Sequence, residues 1–288
     1  MQKRNQILSV FKKAKKAHYP IFQFNFSTIE QFQGIIKGAK CFTLPIILGT
    51  SEGESKFLGL DLAVKMKEVA EKELGKGKVF LNLDHGKSFE IVKKAIKEGY
   101  DMVHFDGGSI PFEKNIEITK NIVNLARKND VIVEGEVGFI EQSSEIHKGE
   151  PQLKLESLTN PDEAKEFVQK TGIDNLAIAI GNVHGIYQGI KVPKLDVERL
   201  SMIQNKVGEK AFLVLHGGSG IPIGELKKAI KEGVVKININ TETRIVWRKT
   251  LEKSLKENPN EITPYKLMNE VVEAIQKTVE KKLKPFYK

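Results

Sequence analysis

The feature that most constrains this chain is a set of short apolar runs, each followed within four residues by polar residues that can bind metals or move protons. These runs are residues 79–83, 131–133, 176–180 and 212–215. The polar residues that follow them are, in the same order, Asp84-His85, Glu134-Gly135-Glu136, His184 and His216. Parallel β-barrels present their reactive side chains at the carboxyl ends of buried strands. The pattern therefore predicts a barrel with three histidines at one mouth.

Apolar runs and amphipathic segments alternate eight times along the chain. The predicted strands are residues 21–26, 45–49, 79–84, 102–105, 131–137, 176–180, 212–215 and 235–239. The predicted helices are residues 28–40, 61–74, 88–98, 113–128, 161–170, 197–205, 223–231 and 242–256. Loops are predicted at 50–53 and, longer and polar, at 138–159. Another long loop is predicted between the strand that ends at residue 180 and the helix that begins at residue 197. One helix is predicted before the first strand, at 5–17, and one after the last unit, at 265–283. Near-continuous apolar strands are typical of a parallel sheet buried on both faces.

The prediction is an α/β fold, a (β/α)8 TIM barrel with an extra N-terminal helix and a C-terminal helical extension, forming a single domain over residues 1–288. A barrel takes about 250 residues, which 288 residues accommodate. The competing architecture is a doubly wound open sheet. It would place a glycine-rich turn after the first strand, but the sequence there is Phe26-Ser27-Thr28.

Charge and cysteine content limit the partners. The 46 basic and 37 acidic residues give a net charge of +9, spread along the predicted helices. A solvated surface is the simplest interpretation, and attraction of phosphorylated substrates is the alternative. Without a basic stripe, no nucleic acid partner is expected. The only cysteine, Cys41, cannot form a disulfide within the chain, and no signal peptide or membrane span is evident. These features predict a cytoplasmic protein without membrane contact.

The histidines at strand ends predict a metal site formed by His85, His184 and His216. One such histidine could be a satisfied polar residue, but three at equivalent strand ends favour joint metal binding. Three neutral imidazoles with an open fourth position form a catalytic zinc arrangement. Asp106 and Glu136 end the fourth and fifth predicted strands, and they could hold a second cation or orient a histidine ligand.

Other ionisable residues flank these ligands. Asp84 precedes His85, and both could face the mouth because the chain turns where the strand ends. A carboxylate there is suited to proton transfer, with helix capping or the orientation of a ligand as the alternatives. Glu134 should point the same way as Glu136, one layer deeper, and make a structural hydrogen bond. His104 lies inside the fourth predicted strand and is interpreted as structural.

Two polar loops are candidates for phosphate binding. Gly217-Gly218-Ser219-Gly220 follows the seventh predicted strand, and Asn238-Ile239-Asn240-Thr241 closes the eighth. Barrels usually bind phosphate at these two loops, where glycines let backbone N–H groups approach the oxygens. The alternative is a tight turn that needs glycine only for its positive φ.

With these residues in place, the chain resembles the class II, metal-dependent ketose-bisphosphate aldolases from about residue 24 to residue 244. The segments that carry the resemblance are Thr50-Ser51-Glu52-Gly53, Leu83-Asp84-His85-Gly86, Asp106-Gly107, Pro111-Phe112-Glu113, residues 133–138, Ala179-Ile180-Gly181 with His184-Gly185, residues 213–221 and residues 236–241. The resemblance implies a lyase of glycolysis and gluconeogenesis. It would cleave a ketose 1,6-bisphosphate reversibly to glycerone phosphate and glyceraldehyde 3-phosphate, with fructose 1,6-bisphosphate favoured over tagatose 1,6-bisphosphate.

The resemblance also implies a role for each site residue. His85, His184 and His216 would hold the catalytic Zn²⁺, which stabilises an enediolate, and Asp106 and Glu136 would hold a second divalent metal. Asp84 would be the acid and base at the C4 hydroxyl, and Asn238 would stabilise the enediolate. The residues that would position glycerone phosphate are Ser51, Gly185, Gly217, Gly218, Ser219, Asn238, Asn240 and Thr241. Na⁺ or K⁺ would bind near Gly185 and Gly217, and a homodimer or homotetramer is implied.

Two departures from the family pattern concern function. Ser144 stands where the family usually has a proton-transferring glutamate, so Glu141 or Glu145 would have to substitute. Lys266 stands where the family tends to have an arginine for the distal phosphate. It keeps the positive charge and is predicted to bind that phosphate, but it lacks the bidentate geometry of arginine. Another phosphorylated ketose is therefore an alternative substrate. A metal-dependent barrel hydrolase or isomerase and a non-catalytic binder of zinc and sugar phosphate are the other functions left open.

Overall fold

The computed structural model describes residues 2–140, 146–147, 154–187 and 194–287, and in it eight parallel strands close into a barrel. The strands are β1 (Ile21–Asn25), β2 (Ile46–Ser51), β3 (Val79–Gly86), β4 (Met102–Phe105), β5 (Ile132–Val137), β6 (Asn175–Ile178), β7 (Phe212–Leu215) and β8 (Val234–Ile239). Each strand pairs with the next in the chain, and β8 pairs with β1 to close the barrel. The predicted (β/α)8 barrel is confirmed, and closure excludes the doubly wound open sheet.

Helices surround the barrel. Those among the described residues are α1 (Lys3–Ala17), α2 (Ile29–Lys40), α3 (Glu52–Leu58), α4 (Leu60–Leu74), α5 (Phe89–Glu98), α6 (Phe112–Lys128), α7 (Pro161–Thr171), α8 (Val197–Val207), α9 (Ile223–Lys231), α10 (Thr241–Glu257) and α11 (Pro264–Leu283). The additional helices predicted before and after the barrel units are α1 and α11. Within the described part of the chain, no helix is both long and apolar enough to cross a lipid bilayer.

Two short elements differ from the sequence prediction. A loop is predicted at 50–53, but α3 begins there, because Ser51 and Glu54 form a reciprocal capping box. Each side chain accepts a hydrogen bond from the backbone N–H of the other, which satisfies two donors that the start of a helix leaves free. Ile146–His147 and Ile186–Tyr187 form a two-stranded parallel sheet where loops are predicted.

The apolar core has two layers that leave only one end of the barrel for polar chemistry. The larger layer fills the space between the strands and the surrounding helices. The smaller layer closes the amino ends of the strands, where α1 packs Ile7, Phe11 and Ala14 against Phe80 and Phe212. The base of the barrel is therefore sealed, and the carboxyl ends of the strands are left for the site.

Candidate metal centre and active site

The carboxyl ends of the strands surround a cavity of about 510 Å³. The sequence-predicted site residues that line it are Ser51, Asp84, His85, Asp106, Glu136, His184, His216, Gly217, Ser219, Asn238, Asn240 and Thr241. Gly185 and Gly218 do not line the cavity themselves, but each is adjacent in sequence to a residue that does: Gly185 follows His184, and Gly218 lies between Gly217 and Ser219. Glu141 and Glu145, the two candidates for the missing loop glutamate, lie outside the described residues.

The three histidines predicted as zinc ligands have their rings together in this cavity. The ring centroid of His85 lies 4.9 Å from that of His184 and 4.7 Å from that of His216. The centroids of His184 and His216 are 6.3 Å apart. The structure thus brings together side chains that are separated by as many as 131 positions in the sequence.

Two carboxylates determine which ring nitrogen the histidines present to the cavity. Asp106 Oδ2 lies 3.0 Å from Nδ1 of His85, and Glu134 Oε1 lies 2.7 Å from Nε2 of His216. In the neutral ring, each of these nitrogens donates its proton to the carboxylate, which leaves a lone pair on the other nitrogen. Those other nitrogens, Nε2 of His85 and Nδ1 of His216, face each other at 3.0 Å. This donor set fits a shared cation.

Burial keeps two of the three imidazoles neutral. Burial lowers the pKa of His184 well below its usual value, and a positive charge on His85 acts in the same direction. Burial also lowers the pKa of His216, against the opposing effect of its hydrogen bond to Glu134. Because metals bind the neutral ring, both side chains are in the form that a metal site requires. For His85, burial would lower the pKa, but the neighbouring Asp84 and Asp106 raise it.

Asp84 is a buried carboxylate beside the histidines. The amides of Asn25 and Asn238 donate to its two oxygens at 2.9 and 3.0 Å. Burial alone would raise its pKa, but the neighbouring His85, His104, His216 and Lys236 lower the pKa well below the usual range. The side chain is therefore ionised and able to accept a proton. The helix-capping alternative is wrong, because Ser88 caps the helix that follows β3.

The backbone of His85 explains how Asp84 and His85 both face the cavity. Adjacent residues of a strand normally point to opposite faces of the sheet. His85 has a φ of 51°, a left-handed conformation that costs a non-glycine residue about 1–2 kcal/mol. This local turn brings the His85 ring over the same mouth as the Asp84 carboxylate. The His85 N–H donates to Nδ1 of His104 at 3.2 Å.

His104 lies beside the predicted metal ligands, although its position inside a strand had indicated a purely structural role. It lies inside β4 as predicted, but its fully buried ring is 4.9 Å from the His85 ring and 4.7 Å from the His216 ring. One of its ring nitrogens, with one atom each of Asp84, His85 and His216, forms a group that could hold a metal ion. The spacing contained a signal, because residues two apart in a strand share a face, as His104 and Asp106 do.

The two candidate phosphate loops are joined by Ser219. Its hydroxyl accepts from the N–H groups of Asn240 and Glu242, each at 3.3 Å, at the start of α10. Gly217 has a φ of 63°, and a Cβ there would lie 2.3 Å from the carbonyl oxygen of Val183. This glycine is therefore needed for a tight turn, as the alternative interpretation held, and the turn places the loop beside the cavity.

The basic side chains that line the cavity are Lys87 and Arg244, among the residues described. Lys266 is not among the residues that line the cavity. Its ammonium pairs with Glu261 at 3.1 Å, and 55% of the side chain is exposed. The prediction that Lys266 binds the distal phosphate therefore finds no support within one chain. Arg244 pairs with the buried Glu54 at 2.6 Å.

Glu54 is a second residue that the sequence analysis missed. One of its oxygens accepts from Arg244 and from Asn240, and the other accepts from Asn25 and from the Ser51 N–H. The carboxylate therefore joins the ends of β1, β2 and β8 with α10. Because Asn25 also donates to Asp84, Glu54 supports the active-site carboxylate through one amide.

Comparisons with known proteins agree with this geometry. The family described as "Fructose-bisphosphate aldolase class-II" matches residues 5–288. A protein of Bacillus subtilis strain 168 named "Probable fructose-bisphosphate aldolase" is 37% identical over 275 residues, which cover 95% of this chain and 94% of the relative. The "Fructose-bisphosphate aldolase" of Staphylococcus epidermidis RP62A is 38% identical over 275 residues, covering 95% of this chain and 93% of the relative.

Solved structures are similar over nearly the full length. The YdjI aldolase from Escherichia coli K12 superposes with a TM-score of 0.80 at 30% identity, covering 97% of this chain and 96% of that one. A putative fructose-1,6-biphosphate aldolase from Coccidioides immitis superposes with a TM-score of 0.83 at 29% identity, covering 98% and 96%.

Proposed function

The chain belongs to the class II fructose-bisphosphate aldolase family, and on this premise we propose that it reversibly cleaves fructose 1,6-bisphosphate to glycerone phosphate and glyceraldehyde 3-phosphate. The observation that carries the proposal is the pair of imidazole nitrogens, on His85 and His216, that face each other at 3.0 Å beside Asp84. Aldol cleavage needs an electron-withdrawing centre at the ketone and a base at the neighbouring hydroxyl, and this site offers residues for both.

His85, His184 and His216 would hold zinc, the metal on which the family generally depends. When bound, zinc supplies Lewis acidity at the ketone oxygen. A second divalent cation would be held by Asp106 and Glu136, whose carboxylate oxygens lie within 4.8 Å of each other. The carboxylates make this second position suited to a harder cation than zinc.

Asp84 would move the proton in the cleavage step. Its carboxylate takes the proton of the C4 hydroxyl, C4 becomes the aldehyde carbon, and the C3–C4 bond breaks with its electron pair left on C3 as the enediolate. Asn238, which donates to Asp84, would hydrogen-bond to that enediolate. The proton that C3 then receives would come from Glu141 or Glu145. In the reverse direction Asp84 returns its proton to the new C4 oxygen.

The two phosphates would bind to residues around the mouth of the barrel. We assign the first to Ser51, Gly185, Gly217, Gly218, Ser219, Asn240 and Thr241, with Na⁺ or K⁺ near Gly185 and Gly217. We assign the second to Lys87 and Arg244, because these basic side chains line the cavity. We further propose that residues 1–288 act as one domain, in the cytoplasm, as a homodimer or homotetramer.

Metal removal tests the proposal directly. Purified protein is treated with a chelator, dialysed, and assayed for cleavage of fructose 1,6-bisphosphate by coupling glycerone phosphate formation to NADH oxidation. Chelation should abolish cleavage, and added zinc or cobalt should restore it. Borohydride added during turnover should leave the enzyme active, because no lysine forms a Schiff base in this mechanism. Cleavage that survives exhaustive chelation, or covalent trapping by borohydride, would contradict the proposal.

The same assay separates the neighbouring functions. Tagatose 1,6-bisphosphate and fructose 1-phosphate are compared with fructose 1,6-bisphosphate, and inorganic phosphate is measured in parallel. Fructose 1,6-bisphosphate should give the highest kcat/KM, with no phosphate released. Phosphate release without an aldehyde would indicate a hydrolase. Binding of zinc and glycerone phosphate without turnover of any of the three sugars would indicate a non-catalytic binder.

A further inference from the structure

We propose that His104 is a positioning residue, which holds the backbone of one candidate metal ligand, His85, and the carboxylate of another, Glu136, through the two nitrogens of a single buried ring. The inference rests on the proposed function, because metal ligation by His85 and Glu136 is part of that function. In the proposed function His104 is neither a ligand of the zinc nor a catalytic group.

The first contact concerns the strained backbone of His85. Nδ1 of His104 accepts the His85 N–H at 3.2 Å, and His85 is the residue in β3 with a left-handed φ of 51°. The strand pairing shifts register between Leu83 and Gly86, so this N–H stands where the β3–β4 ladder is irregular. A buried N–H without a partner is costly. The ring nitrogen provides that partner and favours the backbone turn that points the His85 ring into the cavity.

The second contact concerns Glu136. Nε2 of His104 lies 3.3 Å from Oε2 of Glu136, and both side chains are almost completely buried. Neither atom has a hydrogen-bond partner among the described residues, so the approach is close but not aligned as a hydrogen bond. Because Nδ1 accepts from His85, the proton of the neutral ring is on Nε2, the nitrogen that lies beside this oxygen. The ring therefore places a donor beside the carboxylate that would bind the second cation.

The backbone contact to His85 also limits how many protons the ring can carry. A second proton on Nδ1 would point at the His85 N–H, so the backbone contact opposes the doubly protonated ring. Both contacts occupy the ring nitrogens, which makes His104 a support for the ligands rather than a ligand itself.

Three substitutions separate the two contacts. His104→Leu removes both. His104→Asn can place an amide oxygen where Nδ1 lies and so keep an acceptor for the His85 N–H, but it does not reach Glu136. His104→Gln can place an amide N–H where Nε2 lies and keep the donor to Glu136. Met102→Leu, a volume-conserving change on the same strand, serves as the matched control. Thermal unfolding of the metal-free proteins checks that each variant folds.

The first measurement needs no metal. Hydrogen exchange of the His85 amide in metal-free, isotope-labelled protein should be about tenfold faster in His104→Leu and His104→Gln than in the unchanged protein, as expected when one hydrogen bond is lost. Exchange should return to the original rate in His104→Asn and stay there in Met102→Leu. Equal exchange rates in all variants would overturn the proposal, whether or not the protein binds metal. If His104→Leu does not fold, the contrast between Asn and Gln decides.

The second measurement is metal affinity, obtained for zinc and cobalt by competition with a chelator. His104→Leu should bind about 10–100-fold more weakly, the loss typical when the support of a metal ligand is removed. His104→Asn and His104→Gln should each recover part of the loss. Unchanged affinity and an unchanged cobalt absorption spectrum in His104→Leu would overturn the positioning role. Failure of the unchanged protein to bind metal would instead contradict the proposed function, with the exchange rates still deciding the His104 contact.

Discussion

Asp84 is the residue on which the proposed reaction depends most directly. It is held by two amide donors and lies next to the histidines, so it stays ionised although it is buried. We predict that Asp84→Asn lowers kcat by about 10²–10⁴-fold, the usual contribution of a general acid or base, because an amide cannot take the C4 proton. Steady-state kinetics give kcat, and calorimetry should show nearly unchanged glycerone phosphate binding. Asp61→Asn, an exposed acid at the start of α4, is the control. A near-normal rate in Asp84→Asn would remove it as the base.

Substrate anchoring is a second question at the scale of single residues. Lys87→Ala and Arg244→Ala should each raise KM for the bisphosphate by about 10–100-fold, since a hydrogen bond to a charged group contributes about 1.5–3 kcal/mol. The effect should be smaller for fructose 1-phosphate if the lost partner is the second phosphate. Lys266→Ala should behave like the unchanged protein, because Lys266 pairs with Glu261 outside the cavity. A large loss in Lys266→Ala with none in the other two would restore the sequence-based assignment.

The site residues that follow strands could be predicted from sequence, and the supporting residues could not. Asp84, His85 and His216 stand directly after apolar runs and His184 stands four residues after one, and the barrel rule places all such positions at one mouth. His104 sits inside a strand, where a histidine is more often structural. Glu54 acquires its importance from partners on four separate segments, and which segments meet is decided by the closed barrel rather than by local sequence.

At the scale of elements, α2 and α11 pack unusually closely because α2 carries two glycines on the shared face. A Cβ on Gly38 would lie 2.8 Å from both the Gln276 carbonyl oxygen and the Val279 Cβ of α11. We predict that Gly38→Ala destabilises the protein by about 1–3 kcal/mol, the usual cost of overpacking. This exceeds the gain of about 0.8–1 kcal/mol that alanine brings to a helix interior. Denaturant unfolding measures the difference.

The matched control is Gly224→Ala in α9, where nothing lies within 4 Å of the new Cβ. That change should stabilise the protein by about 0.4–1 kcal/mol, because alanine restricts the unfolded chain. If both alanine variants were equally stabilised, the close contact between α2 and α11 would not constrain the packing.

Elements were predictable in proportion to their length and burial. The eight barrel strands are buried on both faces and read as apolar runs, and the long helices show a regular apolar face. The short α3 depends on the Ser51–Glu54 capping box, a local signal that the apolar pattern does not contain. The two-residue strands at 146–147 and 186–187 pair with each other across about forty residues, and nothing in so short a segment specifies its partner.

On the scale of the whole molecule, the two ends of the barrel have different roles: the carboxyl ends of the strands carry the site, and the amino ends carry an apolar cluster that stabilises the fold. The cavity and every sequence-predicted site residue that the structure brings together lie at the carboxyl ends of the strands. The amino ends are closed by α1, whose apolar side chains join those of seven strands in a separate cluster. Substitutions at the base should therefore change the free energy of unfolding without changing the chemistry at the mouth.

Phe11 allows that separation to be tested. Its side chain is 1% exposed and its ring lies 5.3 Å from the ring of Phe212, at the start of β7. Phe11→Ala should lower the free energy of unfolding by about 3–5 kcal/mol, through lost burial and the cavity left behind. Because β7 carries His216 only at its far end, KM and kcat per folded molecule should stay close to those of the unchanged protein at temperatures well below unfolding. Leu255→Ala, at a half-exposed position of α10, should change neither. A fall in kcat or metal affinity in Phe11→Ala that exceeds the fraction unfolded would mean that the base and the mouth are coupled through the strands.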